Sequence, residues 1–311
     1  MLDLNRLRVL QEVARCGSFS AAARSLHITP SAVSQQMAAL ERSVGVPVVE
    51  RGARGVTLTD PGRLLAQVVD NLTGDLSHVE RHLLGYSDGQ IGRLAVATFP
   101  SAGQSLLPAA LAPLTGRPDV ELTVWDAETV DAIPLVRGGE ADLALVYHFI
   151  TPAPPREWTP DLRYTPLLTE DLCAVVPVHH PLAGRSSVAL GELADELWMH
   201  GRGEVAEAMD YFFATAGFRP RIGCRSADTT FSQTLVAAGV GVTMVPSVAV
   251  ARHLDGVAAL RLDDPPIRYV GAVHRRDRWQ SPLAAELMEL LHRTARTLDI
   301  PGAAAVTPQL S

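Results

Sequence analysis

Between Asp60 and about Tyr86 the chain carries an apolar stripe that needs a cover. Leu65, Val69, Leu72, Leu76, Val79 and Leu83 succeed one another at intervals of 4, 3, 4, 3 and 4 residues. This is a heptad pattern, with Val69, Leu76 and Leu83 at a and Leu65, Leu72 and Val79 at d. Read as one helix, the segment spans about 40 Å at 1.5 Å per residue. A rod of that length outruns any small module at its start, so a second copy of itself is the natural partner. Packing against its own chain is the alternative. The stripe therefore predicts a dimer and separates a short N-terminal part of the chain from a longer C-terminal part. Gly85, Ser87, Asp88 and Gly89 mark its far boundary.

The N-terminal part reads as three short helices. Leu7, Leu10 and Ala14, with Val13 alongside, define the first, which stops at Gly17. Ser18 is a good N-cap for a second helix with Phe19, Ala22, Ala23 and Leu26 on its apolar face. Thr29-Pro30 pairs an N-cap with a proline at the first helical position. The third helix then runs to about Val44 and ends at Gly45. Its buried stripe is Val33, Met37, Leu40 and Val44, which leaves Ser31, Gln35, Ala38 and Arg42 on the opposite face, flanked by Ser34 and Ala39. That face is small, polar and free of acids near its start, a shape that fits a major groove. Gln can pair with adenine through two hydrogen bonds, and Ser can donate or accept at several base edges. The arrangement is a helix-turn-helix; a three-helix packing module with a solvated polar face is the alternative. Two strand-like runs, 46–49 and 56–58, flank Arg51-Gly52-Ala53-Arg54-Gly55, a hairpin whose tip suits phosphates or a minor groove.

Charge is distributed to match. All 27 basic residues are Arg, and the net charge is -7. Residues 1–59 nevertheless sum to +3 and the remainder to -10, so only the N-terminal part is suited to meet phosphates.

The runs 18–23 (SFSAAA) and 29–36 (TPSAVSQQ), then Leu40-Glu41, Gly45, Glu50-Arg51 and 58–62 (LTDPG), resemble the N-terminal signature of LysR-type transcriptional regulators. The match runs continuously over about residues 2–65. The resemblance implies a winged helix-turn-helix that contacts operator DNA through Thr29, Pro30, Ser31, Ser34, Gln35, Arg51 and Arg54. Two positions depart from the family pattern: Val49 stands where Phe is usual at the wing base, and Gln35 where Arg is frequent. The resemblance also implies that the linker helix pairs two chains through Leu65, Val69, Leu72, Leu76, Val79 and Leu83, giving a homodimer or homotetramer on a roughly palindromic operator, with RNA polymerase as a further partner.

After residue 90 strands alternate with helices. Leu94–Phe99, Val120–Trp125, Asp142–Tyr147, Leu172–Val176, Arg221–Ser226 and Gly241–Val245 read as strands; Ser105–Leu114, Val130–Val136, Val205–Ala216 and Phe231–Ala238 read as helices. The alternation predicts βαβ units, a mainly parallel sheet and two subdomains around a cleft. The runs 139–145 (GEADLAL), 177–183 (PVHHPLA) and 235–246 (LVAAGVGVTMVP) resemble the LysR-type effector-binding domain, which is similar in fold to periplasmic solute-binding proteins. That resemblance places a small-molecule effector among Pro100, Ser101, Ala102, His148, Phe149, His200, Gly201, Arg202, Asp228, Thr229 and Pro246. An anion-friendly helix start at Ser101 and the guanidinium of Arg202 favour a carboxylate effector, although an Arg202–Asp228 salt bridge is an equal alternative.

The expected organisation is therefore an N-terminal all-α winged helix-turn-helix (1–59) and a long linker helix (60–88). Next comes an α/β, periplasmic-binding-protein-like effector-binding domain (89–299), with subdomain one at 91–163 and 266–298 and subdomain two at 164–265. The tail, 300–311, is rich in Ala and Pro and is expected to be disordered. No cofactor, metal or membrane span is expected. The three Cys are sparse and suit a reducing cytoplasm. His179-His180 reads as a turn, and Gly239-Val-Gly241 lacks the third glycine of a dinucleotide fingerprint. No catalytic motif is found, so the chain reads as a cytoplasmic, effector-controlled DNA-binding regulator and not an enzyme. The rival readings are a constitutive DNA binder with a vestigial solute domain and a DNA-tethered solute-binding or enzymatic module.

Overall fold

The computed structural model describes residues 2–52, 55–66, 68–69, 72, 92–149, 151–158, 160–250, 254–276 and 281–306. The chain divides into two compact units, an N-terminal helical one and a C-terminal α/β one.

In the first unit each helix is bounded by the chemistry its sequence announces. Helix α1 (Leu4–Cys16) starts where Asp3 accepts from the Asn5 N–H and ends at Gly17, whose φ of 65° is left-handed. Helix α2 (Phe19–Ser25) is capped by Ser18, which accepts from the Ala21 N–H at 3.1 Å. Helix α3 (Pro30–Val44) is capped by Thr29 and closed by Gly45. Their apolar faces converge on Leu7, Leu10, Val13, Ala22, Ala23, Val33, Met37 and Leu40. Strands β1 (Val49–Gly52) and β2 (Gly55–Leu58) form an antiparallel hairpin. The Val56 N–H donates to Gly17 O at 2.8 Å, and a Cβ on Gly55 would stand 2.6 Å from that same oxygen. Only glycine lets the wing sit this close to the turn after α1. Helix α4 starts at residue 60; residues 60–66, 68, 69 and 72 are its described part.

The second unit holds β3 (Gly92–Thr98), α5 (Pro100–Ser105), α6 (Leu107–Leu111), β4 (Val120–Asp126), α7 (Thr129–Arg137), β5 (Leu143–Phe149), β6 (Leu162–Pro177), β7 (Ser187–Val188), β8 (Leu197–His200), α8 (Gly203–Thr215), β9 (Arg221–Arg225), α9 (Thr229–Ala237), β10 (Val242–Pro246), β11 (Val257–Leu262), β12 (Ile267–Arg275), α10 (Pro282–Thr297) and β13 (Ala303–Ala305). Along the sheet the order is β4-β3-β5-β12-β6-β10-β8-β9. Parallel pairs flank a centre of antiparallel ones, because β12 runs against both β5 and β6 and β10 runs against β6. The sheet is mixed, whereas alternation alone predicts a mainly parallel one.

Strand β6 is the shared spine. Its first part pairs with β12 as far as Asp171, and from Leu172 on it pairs with β10 and β11. The first crossover between subdomains therefore lies at 171–172, later than the 163 expected from sequence. Polar Arg163, Thr165, Thr169 and Glu170 break the apolar run there and hide the strand. Two cores result, one under α6 and α10 with Leu94, Leu145 and Leu287, the other around Trp198, Phe213 and Leu260.

The tail is a further correction. Ala303–Ala305 pair with Leu168–Glu170 of β6, the Asp171 N–H donates to Gly302 O and the Val306 N–H to Leu167 O. An Ala-rich segment carries no disorder of its own when a free strand edge supplies its hydrogen-bond partners. Truncation after Asp299 should lower unfolding free energy by about 1–2 kcal/mol, measured by urea denaturation followed by tryptophan fluorescence.

Candidate functional site

Two surfaces carry the chemistry. The first is the start of α3. Thr29, Pro30, Ser31 and Gln35 are exposed and Ser34 is half-buried, because Val33, Met37 and Leu40 take the opposite side of the helix into the core. Thr29 Oγ1 serves the Ala32 N–H and lies 2.9 Å from Ser31 Oγ. The turn before it contains His27 at φ 55°, the one described non-glycine residue in the left-handed region. No acid lies in the first turn of α3 and Arg42 lies in the last. The Glu41 carboxylate accepts from the Val48 N–H at 3.0 Å and so joins α3 to the base of the wing, next to Val49. Arg51 lies in β1; its side chain, and all of Arg54, fall outside the described residues.

The second is a cavity of about 310 Å³ between the subdomains of the C-terminal unit. Chain segments after β3, β5, β8, β9 and β10 meet there, with the start of α7 opposite. Phe99, Tyr147 and Phe149 form an aromatic wall, with ring centroids 4.8 Å apart for Phe99–Tyr147 and 5.6 Å for Tyr147–Phe149. Behind that wall Arg268 is 4% exposed and lies 4.9 and 5.0 Å from the Phe99 and Tyr147 ring centres. Its Nε donates to Glu170 Oε1 at 2.8 Å and its Nη2 to Ser101 Oγ at 2.9 Å. Glu170 Oε2 accepts from the Val248 N–H at 3.2 Å. His200 is fully buried, with Nε2 3.0 Å from Asp210 and Nδ1 3.1 Å from Arg225 Nη1. Nδ1 also lies 3.1 Å from Gly201 O, so protein groups flank both ring nitrogens.

These two surfaces have known counterparts. Residues 4–63 match the model of the bacterial regulatory helix-turn-helix protein, lysR family, and residues 87–296 match the LysR substrate binding domain. The chain belongs to the LysR family of transcriptional regulators. It is 27% identical to the RuBisCO operon transcriptional regulator of Allochromatium vinosum, over 93% of this chain and 95% of that one. Among solved structures it is similar to a Corynebacterium glutamicum OxyR C206 mutant, at 26% identity and a TM-score of 0.58, covering 95% of this chain and 92% of that one. Full-length CbnR complexed with its target DNA shares the fold, at 24% identity and a TM-score of 0.56, covering 94% and 100%. The LysR-type regulator thus joins a DNA-binding helix-turn-helix to an effector-binding domain.

Of the effector residues expected from sequence, Pro100, Ser101, Phe149, His200, Gly201, Arg202, Thr229 and Pro246 line the cavity of the LysR-type domain. Three do not. Ala102 is buried in the core beneath α5. His148 comes after Tyr147 in a strand, so it faces the other side of the sheet, stacked on Tyr269 and 3.3 Å from Tyr164 Oη; burial lowers its pKa. Asp228 caps α9, accepting from the Thr230 and Phe231 N–H groups, and makes neither an ion pair with Arg202 nor a cavity wall.

Missing from the sequence-based set are Glu128, Asp131, Tyr147, Glu204, Thr243 and Arg268, all lining residues. One signal was available for Arg268 and Glu170. Each is a charged residue inside a strand, a placement that requires a partner.

Two motifs that the family function does not use also resolve. Gly241 lets β10 press onto β8, since a Cβ there would stand 2.0 Å from Leu197 O. His180 sits in a turn, its ring nitrogens against Glu196 and the Leu182 N–H. Cys173 on β6 and Cys224 on β9 are separated by β10 and β8, about 14 Å at ordinary strand spacing and beyond disulfide reach. Among the described residues no cluster of His, Cys, Asp or Glu could hold a metal ion, and no helix is long and apolar enough to cross a membrane.

Removing one member of a buried ion pair strands the other. Glu170→Gln should therefore destabilise the effector-binding domain by roughly 3–5 kcal/mol, whereas Glu170→Leu combined with Arg268→Met should recover most of the loss. Urea titrations of the two variants test this; equal stability of Glu170→Gln and the parent chain would contradict the role of the pair.

Proposed function

We propose that the regulator reads its operator through Thr29, Pro30, Ser31, Ser34 and Gln35, with Arg51 and Arg54 of the wing on the backbone or minor groove. The exposed polar face of α3 carries this reading. The Gln35 side chain is exposed and makes no hydrogen bond among the described residues, so its amide is available for the paired donor and acceptor of an adenine edge. The net positive charge of residues 1–59 supplies the phosphate attraction. Gln35→Ala should weaken specific binding by about 1–3 kcal/mol while leaving binding to random-sequence DNA unchanged. Fluorescence anisotropy with operator and scrambled duplexes at fixed salt measures both; equal operator affinity of the two proteins would refute the assignment.

Two such helices require a dimer, and here the seam needs revision. Val69 is fully buried and Leu65 half-buried against the helix-turn-helix core of the same chain, so at these two positions the heptad stripe serves its own module. Leu64, Val68 and Leu72 are the described apolar residues of α4 left outside, at 63%, 37% and 42% exposure. They are four residues apart and share a face. We take them as the start of the dimer seam, which in sequence continues to Leu76, Val79 and Leu83; those three lie outside the described residues. Val68→Glu with Leu72→Glu should shift the protein to a smaller species in sedimentation velocity without lowering the stability of residues 1–66. Val69→Ala should do the reverse, lowering stability by about 2 kcal/mol while leaving the assembly intact.

The cavity is the effector site in this reading. Effector binding shifts the balance between two arrangements of the assembly, and only a difference in affinity for the two can do so. Turnover is not part of the proposal: the His200 nitrogens and the Tyr147 proton are already committed to protein partners, which leaves the ligand no free acid–base pair among these groups. The regulator would act in the cytoplasm, where its operator is, and RNA polymerase is the further partner the reading calls for.

A further inference from the structure

Three hydroxyls that line the cavity have already spent their hydrogens. Tyr147 Oη gives its only hydrogen to Glu128 Oε2 at 2.7 Å. Thr243 Oγ1 donates to Met199 O at 2.8 Å, and Ser232 Oγ to Asp228 O at 3.1 Å. A hydroxyl has one hydrogen, so all three present lone pairs to whatever enters. The Ser101 hydroxyl differs, since it accepts from Arg268 and keeps its own hydrogen.

Charge adds to this. Glu128, Asp131 and Glu204 line the cavity, against Arg202 and Arg268. Arg268 is neutralised at close range by the buried Glu170; Arg202, Asp131 and Glu204 are all exposed and Glu128 is half-buried, so one cation faces three carboxylates. The ligand-facing balance is therefore negative. Desolvation, then the carboxylates of Glu207, Glu128 and Glu157, push the Glu204 pKa up. The aromatic wall of Phe99, Tyr147 and Phe149 supplies apolar surface, with the Phe99 and Tyr147 rings already against the Arg268 guanidinium.

We propose that the effector carries a positively charged nitrogen on an apolar body, with the nitrogen held by Glu128 beside the aromatic wall. This rests on the assignment of the cavity as the effector site and replaces the carboxylate suggested by sequence. Arg202 and Ser101 favour an anion only when considered alone. Arg202 is offset by three lining carboxylates, and Ser101 already serves Arg268. An ammonium or guanidinium brings donors to the lone pairs of Tyr147, Thr243 and Ser232 and charge to the carboxylates.

Isothermal titration calorimetry on the full-length protein tests this with three probes of nearly equal shape: 2-phenylethylammonium, 2-phenylethanol and phenylacetate. The ammonium should bind at least about tenfold more tightly than phenylacetate. In Glu128→Gln the ratio of ammonium to alcohol affinity should fall about tenfold, because the amide still accepts from Tyr147 but carries no charge. A second variant, Glu204→Gln, should lower the same ratio by a smaller factor. Tighter binding of phenylacetate, or a ratio unmoved in Glu128→Gln, overturns the charge inference and leaves the cavity as an effector site. Absence of binding by all three probes up to about 10 mM overturns the cavity assignment, and the inference falls with it.

Discussion

Arg268 and Glu170 are both almost completely out of water, and the effector-binding domain is arranged so that neither is alone. An unpaired charge in that position would cost several kcal/mol. The pair therefore requires β12 and β6 to be in register, α5 to present Ser101, and the turn after β10 to present the Val248 N–H. These groups come from both subdomains and meet where β6 passes from one to the other. The floor of the cavity is thus defined by electrostatics more than by apolar packing. Phe99 and Tyr147 complete it by covering the guanidinium with their rings.

The helix-turn-helix is held differently. Its core is small, and its geometry comes from its ends: Asp3, Ser18 and Thr29 cap three helices in succession, and Gly17 and Gly45 stop two of them. Ala22 and Ala23 allow α2 to lie close to its neighbours. With the apolar side of α3 committed to this core, Ser31 and Gln35 stay exposed on the other side. The proposed operator contact uses that exposure, and a face of Ser, Ala and Gln is compatible with a well-packed helix.

The helical module was legible in the sequence almost residue by residue, because caps, glycine stops and 3.6-residue periodicity all act locally. Boundaries at Ser18, Thr29-Pro30 and Gly45 are set by neighbours a few positions away. The βα elements were legible where strands are uniformly apolar, as in Leu143–Phe149. They were not legible in the first part of β6 or in β12 and β13, where polar residues are tolerated because partners distant in sequence satisfy them. The same limit governs the cavity. Loop positions after strands were found from the resemblance, but Arg268, Glu170 and Glu128 became visible only once strands far apart in sequence were side by side. The linker shows a subtler limit: two apolar stripes run along adjacent positions of α4, and spacing alone does not say which one meets the chain's own core.

The order β5-β12-β6 has a consequence for biogenesis. Strands β5 and β6 leave the ribosome long before β12, yet β12 lies between them and supplies the guanidinium that Glu170 requires. Until residues near 275 are synthesised, the inner edges of β5 and β6 have no partner and a carboxylate destined for burial remains solvated. The DNA-binding module, whose contacts are all local, faces no such delay. A nascent chain would thus be able to form its operator-reading surface while its ligand-sensing half is still open, so that regulatory competence is acquired only at the end of translation.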